Sequence, residues 1–130
     1  MTTDLWMLIW TVVLAIVFPF IYAPGRLLTP GGAAWAFGNR DQSLAVPDWT
    51  TRAVRAHQNL TENLAPFAIL VLVAHVTGKA NSTTALGATM FFWGRVAHAL
   101  VYTAGIVYLR TIVFFIAAIG ELLILFQLLG

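Results

Sequence analysis

Apolar residues fill the chain in long runs, which polar or helix-breaking segments interrupt. A membrane-spanning helix needs about 20 consecutive apolar residues. The pattern predicts four such helices, over residues 5–22, 47–76, 84–103 and 110–129. The run from Thr84 to Leu129 is almost unbroken. As one helix it would be about 70 Å long, more than twice the bilayer core, so it must fold back near Gly105. The sequence therefore predicts an all-α fold, a single domain that forms an integral membrane four-helix bundle.

Composition supports the membrane assignment and excludes several classes of function. Only 9% of the residues are charged, whereas soluble domains have about a quarter. The net charge of +2 and the absence of a basic run argue against a nucleic-acid partner. The chain has no cysteine, so any thiol in its chemistry must belong to a ligand. The three histidines lack metal-ligand spacing, and no metal site is predicted.

The distribution of lysine and arginine predicts how the chain crosses the bilayer. Cytoplasmic loops are enriched in these residues. The side that holds the first and third loops has five arginines, and the opposite side has Lys79. Both termini are therefore predicted on the non-cytoplasmic side, in the inner membrane if the source is bacterial. Asp4 precedes the first apolar run without a nearby cation, so this run is predicted to be a retained span and not a signal peptide.

The second predicted helix has a polar stripe in its first half. Arg55, Asn59 and Glu62 are spaced four and seven residues apart, which places them within an arc of roughly 60°. Counting about 20 residues back from Val76 reaches His57, so Asn59 and Glu62 are predicted at membrane depth. Charged side chains at that depth face the protein interior or a wet cavity, and they usually mark function.

The third predicted helix has a second stripe, formed by Arg95, His98 and Tyr102. The two helices run antiparallel, so the stripes lie at similar depth, and Arg110 opens the fourth helix just beyond Tyr102. We expect both stripes and Arg110 to line one polar pocket near the inner leaflet. Glu121 lies at the depth of Arg95 and is a candidate partner for it.

Each of these residues also has a purely structural interpretation. Glu62 and Arg95 together are consistent with a buried ion pair that fixes helix packing. A lone histidine such as His98 is more often an interhelical contact than a catalyst. Tyr102 and Arg110, taken singly, are typical of residues at the membrane interface.

The motifs resemble those of a known family. The run R-A-H-Q-N-L-T-E-N at residues 55–63, followed by Pro66 and Phe67, is similar to the second-helix signature of the MAPEG family of eicosanoid and glutathione metabolism. The run R-V-A-H-A-L-V-Y at residues 95–102, followed by L-R-T at residues 109–111, is similar to its third-helix signature and the arginine after it. Arg110 is one residue closer to Tyr102 than the corresponding arginine and tyrosine are in the prostaglandin synthase pattern.

The resemblance implies a homotrimer that binds glutathione between neighbouring protomers. It assigns glutathione binding to five positions, Arg55, Asn59, Glu62, Arg95 and His98. It assigns stabilisation of the thiolate to Arg110, with Tyr102 as a hydrogen-bond donor to the same sulfur.

The expected function is that of a membrane-embedded, glutathione-dependent transferase or peroxidase. Its second substrate would be a lipophilic electrophile or a lipid hydroperoxide. Two alternatives remain open at this stage. One is a small four-helix transporter that uses Glu62 as its buried carboxylate, and the other is a non-catalytic protein of the same fold.

Overall fold

The computed structural model describes all residues from Met1 to Gly130 and contains helices but no strands. The five helices are α1 (Thr3–Leu27), α2 (Gly32–Phe37), α3 (Asp48–Val76), α4 (Ser82–Ala104) and α5 (Val107–Leu129). Three of them, α1, α3 and α5, are long and apolar enough to cross a membrane. The predicted all-helical class and the membrane assignment are therefore confirmed.

The first helix is longer than the sequence pattern predicted. It continues beyond Tyr22 to Leu27 and includes Pro24. Proline is tolerated in such helices because neighbouring groups satisfy the freed backbone atoms. The same helix contains Pro19, which leaves the Ala15 carbonyl without its helical N–H donor, and His57 Nε2 bonds to that carbonyl at 3.0 Å. Near the end of the helix the Thr29 hydroxyl donates to the Gly25 carbonyl at 2.8 Å. The loop predicted for residues 23–46 therefore begins later than expected.

That loop contains α2, a helix the sequence pattern did not predict. The helix has six residues, which is too short to show a recognisable hydrophobic period. It follows Gly31, whose φ of +76° suits glycine, and it ends before Gly38.

The break between the last two long helices falls at the predicted glycine. Gly105 has φ +84° and ends α4. The N–H of Gly105 donates to the Tyr102 carbonyl, and that of Ile106 donates to the Val101 carbonyl, as in common left-handed helix ends. Because α5 already begins at Val107, Arg110 lies in its first turn and does not open the helix.

The closest helix packing joins α4 to α5 through small residues. A Cβ added at Gly87 would lie 2.5 Å from the Gly120 carbonyl oxygen, and one added at Gly94 would lie 3.0 Å from the Ala117 Cβ. Small residues let helix backbones approach this closely in membrane proteins. These two close contacts therefore fix the register of α4 against α5.

At one end of the molecule, a buried polar cluster joins α1, α3 and α4. Asp4 of α1 is 2% exposed. Its carboxylate pairs with His75 of α3 at 3.0 Å and accepts from the Thr84 hydroxyl of α4 at 3.2 Å. At the other end His57 of α3 stacks on Phe18 of α1, with ring centroids 5.4 Å apart. These contacts fix α1 against α3 and set the position of the polar stripes.

Candidate functional site

Arg95 and Asn59 join the two predicted stripes in the interior. The Arg95 side chain is buried, and its Nη1 donates to the Asn59 Oδ1 at 2.7 Å. The guanidinium lies over the rings of Phe91 and Phe114, 5.3 Å from each centroid. Its Nε is buried without a hydrogen-bond partner. The structure therefore holds a cation in an aromatic environment, and its buried Nε–H donor is unused.

The other residues of the third-helix stripe continue from Arg95 toward the end of α4. His98 is buried and meets Tyr102 edge to face, with centroids 5.4 Å apart. The guanidinium of Arg110 on α5 lies over the Tyr102 ring, 4.8 Å from its centroid. Such a contact is electrostatically favourable. His98, Tyr102 and Arg110 therefore form one continuous group.

The second-helix stripe is divided between two environments. Asn59 is half-buried and faces α4, whereas Arg55 and Glu62 are exposed on the outer face of α3. Helical geometry explains the division, because Asn59 and Glu62 lie on opposite sides of Arg55, about 40° and 20° away. The 60° arc thus crosses the boundary between the helix interface and the outer surface.

The single cavity expected to gather all seven residues is not present within the chain. Of the seven, only Arg55 lines a cavity, one of about 250 Å³. No cavity is lined by the other predicted site residues. The prediction was wrong for one protomer because the Arg95 side chain fills the space between α3 and α4 and because Arg55 and Glu62 face outward.

The charged residues of the site have no counter-ions. The chain has one ion pair within 4.0 Å, between Asp4 and His75 at the opposite end of the molecule. Neither the considered Glu62–Arg95 pair nor the expected Arg95–Glu121 pair forms at that distance. Glu121 is near enough to interact electrostatically with Arg95, but its Oε1 is buried without a hydrogen-bond partner.

The cavity beside Arg55 brings in residues that the sequence pattern did not single out. Arg26 from the end of α1 lines it, together with Thr51 and Gln58 from α3. Thr51 and Gln58 lie four residues before and three after Arg55, so helical spacing was a usable signal for them. Arg26 had none, because α1 was predicted to end at Tyr22.

The electrostatic balance of the set suits an anionic, partly zwitterionic ligand. Arg55, Arg95 and Arg110 supply three cations, and Glu62 supplies one carboxylate. Arginine binds carboxylates through a planar fork, and a carboxylate can receive an ammonium group. The hydrogen bond from Arg95 to the Asn59 Oδ1 holds this cation in place before any ligand binds.

The comparisons with known proteins agree with the motifs. The model of the MAPEG family matches residues 5–130, which include all five helices except the first two residues of α1. A comparison with curated proteins found no match. Because the family model covers nearly the whole sequence, including both polar stripes and the arginine of α5, this chain belongs to the MAPEG family.

Proposed function

We propose that this protein is a membrane-embedded, glutathione-dependent transferase or peroxidase. Its second substrate would be a lipophilic electrophile or a lipid hydroperoxide. Membership of the MAPEG family suggests glutathione-related chemistry of this kind in a membrane. The observation that carries the proposal is the set of four charged residues without counter-ions, Arg55, Glu62, Arg95 and Arg110.

The charges of this set complement those of glutathione. The thiolate form of glutathione has two carboxylates, one ammonium group and one negative sulfur, which is a net charge of about −2. Three arginines and one glutamate have a net charge of +2. Arg55 and Arg95 would hold the carboxylates, and Glu62 would hold the ammonium group. Asn59 and His98 would position these groups from the protein side.

Two residues would act on the sulfur. A free thiol has a pKa of about 8.5, and its thiolate is the nucleophile. Arg110 would stabilise the thiolate through its positive charge, and each pKa unit of lowering corresponds to about 1.4 kcal/mol. Tyr102 lies directly beneath the Arg110 guanidinium and would donate a hydrogen bond to the same sulfur. In this role neither residue needs to shuttle a proton.

The outward position of Arg55 and Glu62 supports an assembled active form. Both residues are exposed in the single chain, yet Glu62 is predicted at membrane depth, where an unshielded charge is costly. A second protomer packed on this face of α3 would remove the charges from lipid and enclose the ligand. We propose the homotrimer that the family resemblance implies, with α4 as the fourth span.

Isothermal titration of the detergent-solubilised protein with glutathione tests the binding. Loss of a hydrogen bond to a charged group costs about 1.5–3 kcal/mol, so Arg55→Ala and Glu62→Gln should each weaken binding roughly 10- to 100-fold. Thr61→Ala is the matched control, because Thr61 is exposed on the same helix and bonds only to the Gln58 carbonyl. Unchanged binding in both test variants would contradict the proposal.

Activity assays separate catalysis from binding. Arg110→Ala should retain most of the glutathione affinity while conjugation of chlorodinitrobenzene, or reduction of cumene hydroperoxide, falls by roughly 100-fold. Lys79→Ala removes a cation from the opposite end and should leave both rates unchanged. Proton-driven dye uptake by liposomes containing the protein, without glutathione binding, would support the transporter alternative instead.

A further inference from the structure

A groove between α1 and α2 has the features of a second ligand site. The groove has a volume of about 380 Å³, and Tyr22 and Arg26 of α1 are among its lining residues. Most of its lining is apolar and includes Pro19 and Leu27 of α1 and Phe37 of α2. Its polar lining includes two cations, Arg26 and Arg40, and each lies over the Trp35 ring. We call it the α1–α2 groove.

Aromatic rings orient both cations of the groove. The Arg26 guanidinium lies 4.9 Å from the Tyr22 centroid and 5.3 Å from the Trp35 centroid. The Arg40 guanidinium lies 5.0 Å from the Trp35 centroid, and it donates to the Ala36 carbonyl at the end of α2. Stacking engages the faces of these groups and leaves N–H donors at the edges free for an anion.

No acidic side chain neutralises these two cations. Neither has a carboxylate within 4.0 Å, although Asp41 follows Arg40 directly in the chain. Arg40 is exposed and Arg26 is half-buried. Two oriented, unpaired arginines near one indole ring form a site suited to a phosphate group, because guanidinium groups bind phosphate with directional hydrogen bonds.

The shape of the groove identifies the kind of phosphate. Pro19 lies seven residues before Arg26, which is about 10 Å along the helix. The groove therefore runs from the apolar body of α1 to the cationic end of that helix. Phe37 is 90% exposed and Leu28 is 85% exposed, so the apolar surface continues outside the groove. A free phosphate ion would contact only the two arginines, whereas a phospholipid would contact both the arginines and the apolar lining.

We propose that the α1–α2 groove binds an anionic phospholipid. Its phosphate would lie between Arg26 and Arg40, and the start of an acyl chain would lie against Pro19, Leu27 and Phe37. The distribution of arginines predicts that this end of α1 is cytoplasmic, and cytoplasmic leaflets are rich in anionic lipids. The groove adjoins the cavity beside Arg55, which Arg26 and Trp35 also line, but its second cation, Arg40, lies outside that cavity and outside the proposed glutathione-binding set.

Quenching of tryptophan fluorescence by brominated lipids tests the proposal on the purified full-length protein. The probes are phosphatidylglycerol and phosphatidylcholine, each brominated near the glycerol end of its chains. A Trp35→Phe variant isolates the signal of Trp35 from that of the other tryptophans. We expect phosphatidylglycerol to quench the Trp35 signal at roughly tenfold lower concentration than phosphatidylcholine, because each arginine near an anionic headgroup favours binding.

Substitution of the cations then separates the possible sources of the signal. Arg40→Gln should reduce the preference for phosphatidylglycerol several-fold, and Arg26→Gln combined with it should abolish the preference. Lys79→Gln, at the opposite end of the molecule, should preserve it. Arg40→Gln should also retain glutathione binding, which makes the result independent of the proposed enzymatic function.

Three results would overturn the proposal. The first is equal quenching of Trp35 by the two lipids. The second is a preference for phosphatidylglycerol that survives the double substitution. The third is complete relief of quenching by inorganic phosphate at an equal concentration, which would identify a site for soluble phosphate and not for a lipid.

Discussion

The buried contact between Arg95 and Asn59 allows a test of whether the polar interior serves stability or ligand binding. Arg95 is 2% exposed, and its one hydrogen bond within the chain is to Asn59. Asn59→Ala would leave a buried cation without any hydrogen bond. Removing a hydrogen bond to a buried charged group costs about 1.5–3 kcal/mol, so we expect the free energy of unfolding to fall by about 2–3 kcal/mol.

Replacement of the cation itself should leave the free energy of unfolding almost unchanged. Methionine has a shorter side chain than arginine but a similar volume, and it packs well against aromatic rings such as Phe91 and Phe114. Replacing a buried charge with an apolar side chain of similar volume is often neutral or stabilising. Arg95→Met should therefore change the free energy of unfolding by less than about 1 kcal/mol, and glutathione binding should be lost.

Equilibrium unfolding by sodium dodecyl sulfate in mixed micelles, followed by tryptophan fluorescence, measures both changes. The double variant Asn59→Ala/Arg95→Met should be about as stable as Arg95→Met alone, because no orphaned cation remains. Asn63→Ala is the control, since Asn63 bonds only to the Asn59 backbone carbonyl and its loss should cost about 1 kcal/mol or less. If Arg95→Met were as destabilising as Asn59→Ala, the pair would have a structural role, and ligand binding would not explain the buried cation.

Two further predictions concern the packing that positions the site. Gly120→Ala should destabilise the protein by about 3 kcal/mol, because the added Cβ would lie 2.4 Å from the Gly87 carbonyl oxygen, a backbone atom that cannot move aside. Gly130→Ala, whose nearest neighbour would be 3.5 Å away, should have little effect in the same unfolding assay. Asp4→Asn should cost about 1–2 kcal/mol through the loss of its contact to His75, and most of this cost should disappear in a His75→Ala background. Equal effects of Asp4→Asn in both backgrounds would show that the pair is not the cause.

The helical class was predictable because the hydrophobic pattern is long and strong. Runs of about 20 apolar residues can satisfy their backbone groups in a membrane only as helices or closed barrels. The turn at Gly105 was predictable because only glycine readily adopts a left-handed conformation there. The end of α1 was not, since prolines usually end helices in water, whereas Pro24 is accommodated inside this one.

The candidate site was predictable only in part. Helical spacing alone places Arg55, Asn59 and Glu62 on one side of α3, and in this it describes the structure correctly. Spacing carries no information on where a neighbouring helix covers that side. Helix α4 covers only part of the 60° arc that these three residues occupy on α3. Asn59 therefore contacts Arg95 in the interior, while Arg55 and Glu62 remain exposed on the surface.

The helical class, the chain's suitability for a membrane and the chemical types available at the site were all predictable from sequence alone, because they depend on composition and on spacing within one helix. The family also follows from the sequence, through the match over residues 5–130. The folded structure was needed to show which polar groups meet, since contacts between helices depend on their rotation and close packing. It therefore placed Arg110 over Tyr102, left the Glu121 Oε1 atom without a hydrogen-bond partner and brought Arg26 and Arg40 together on Trp35.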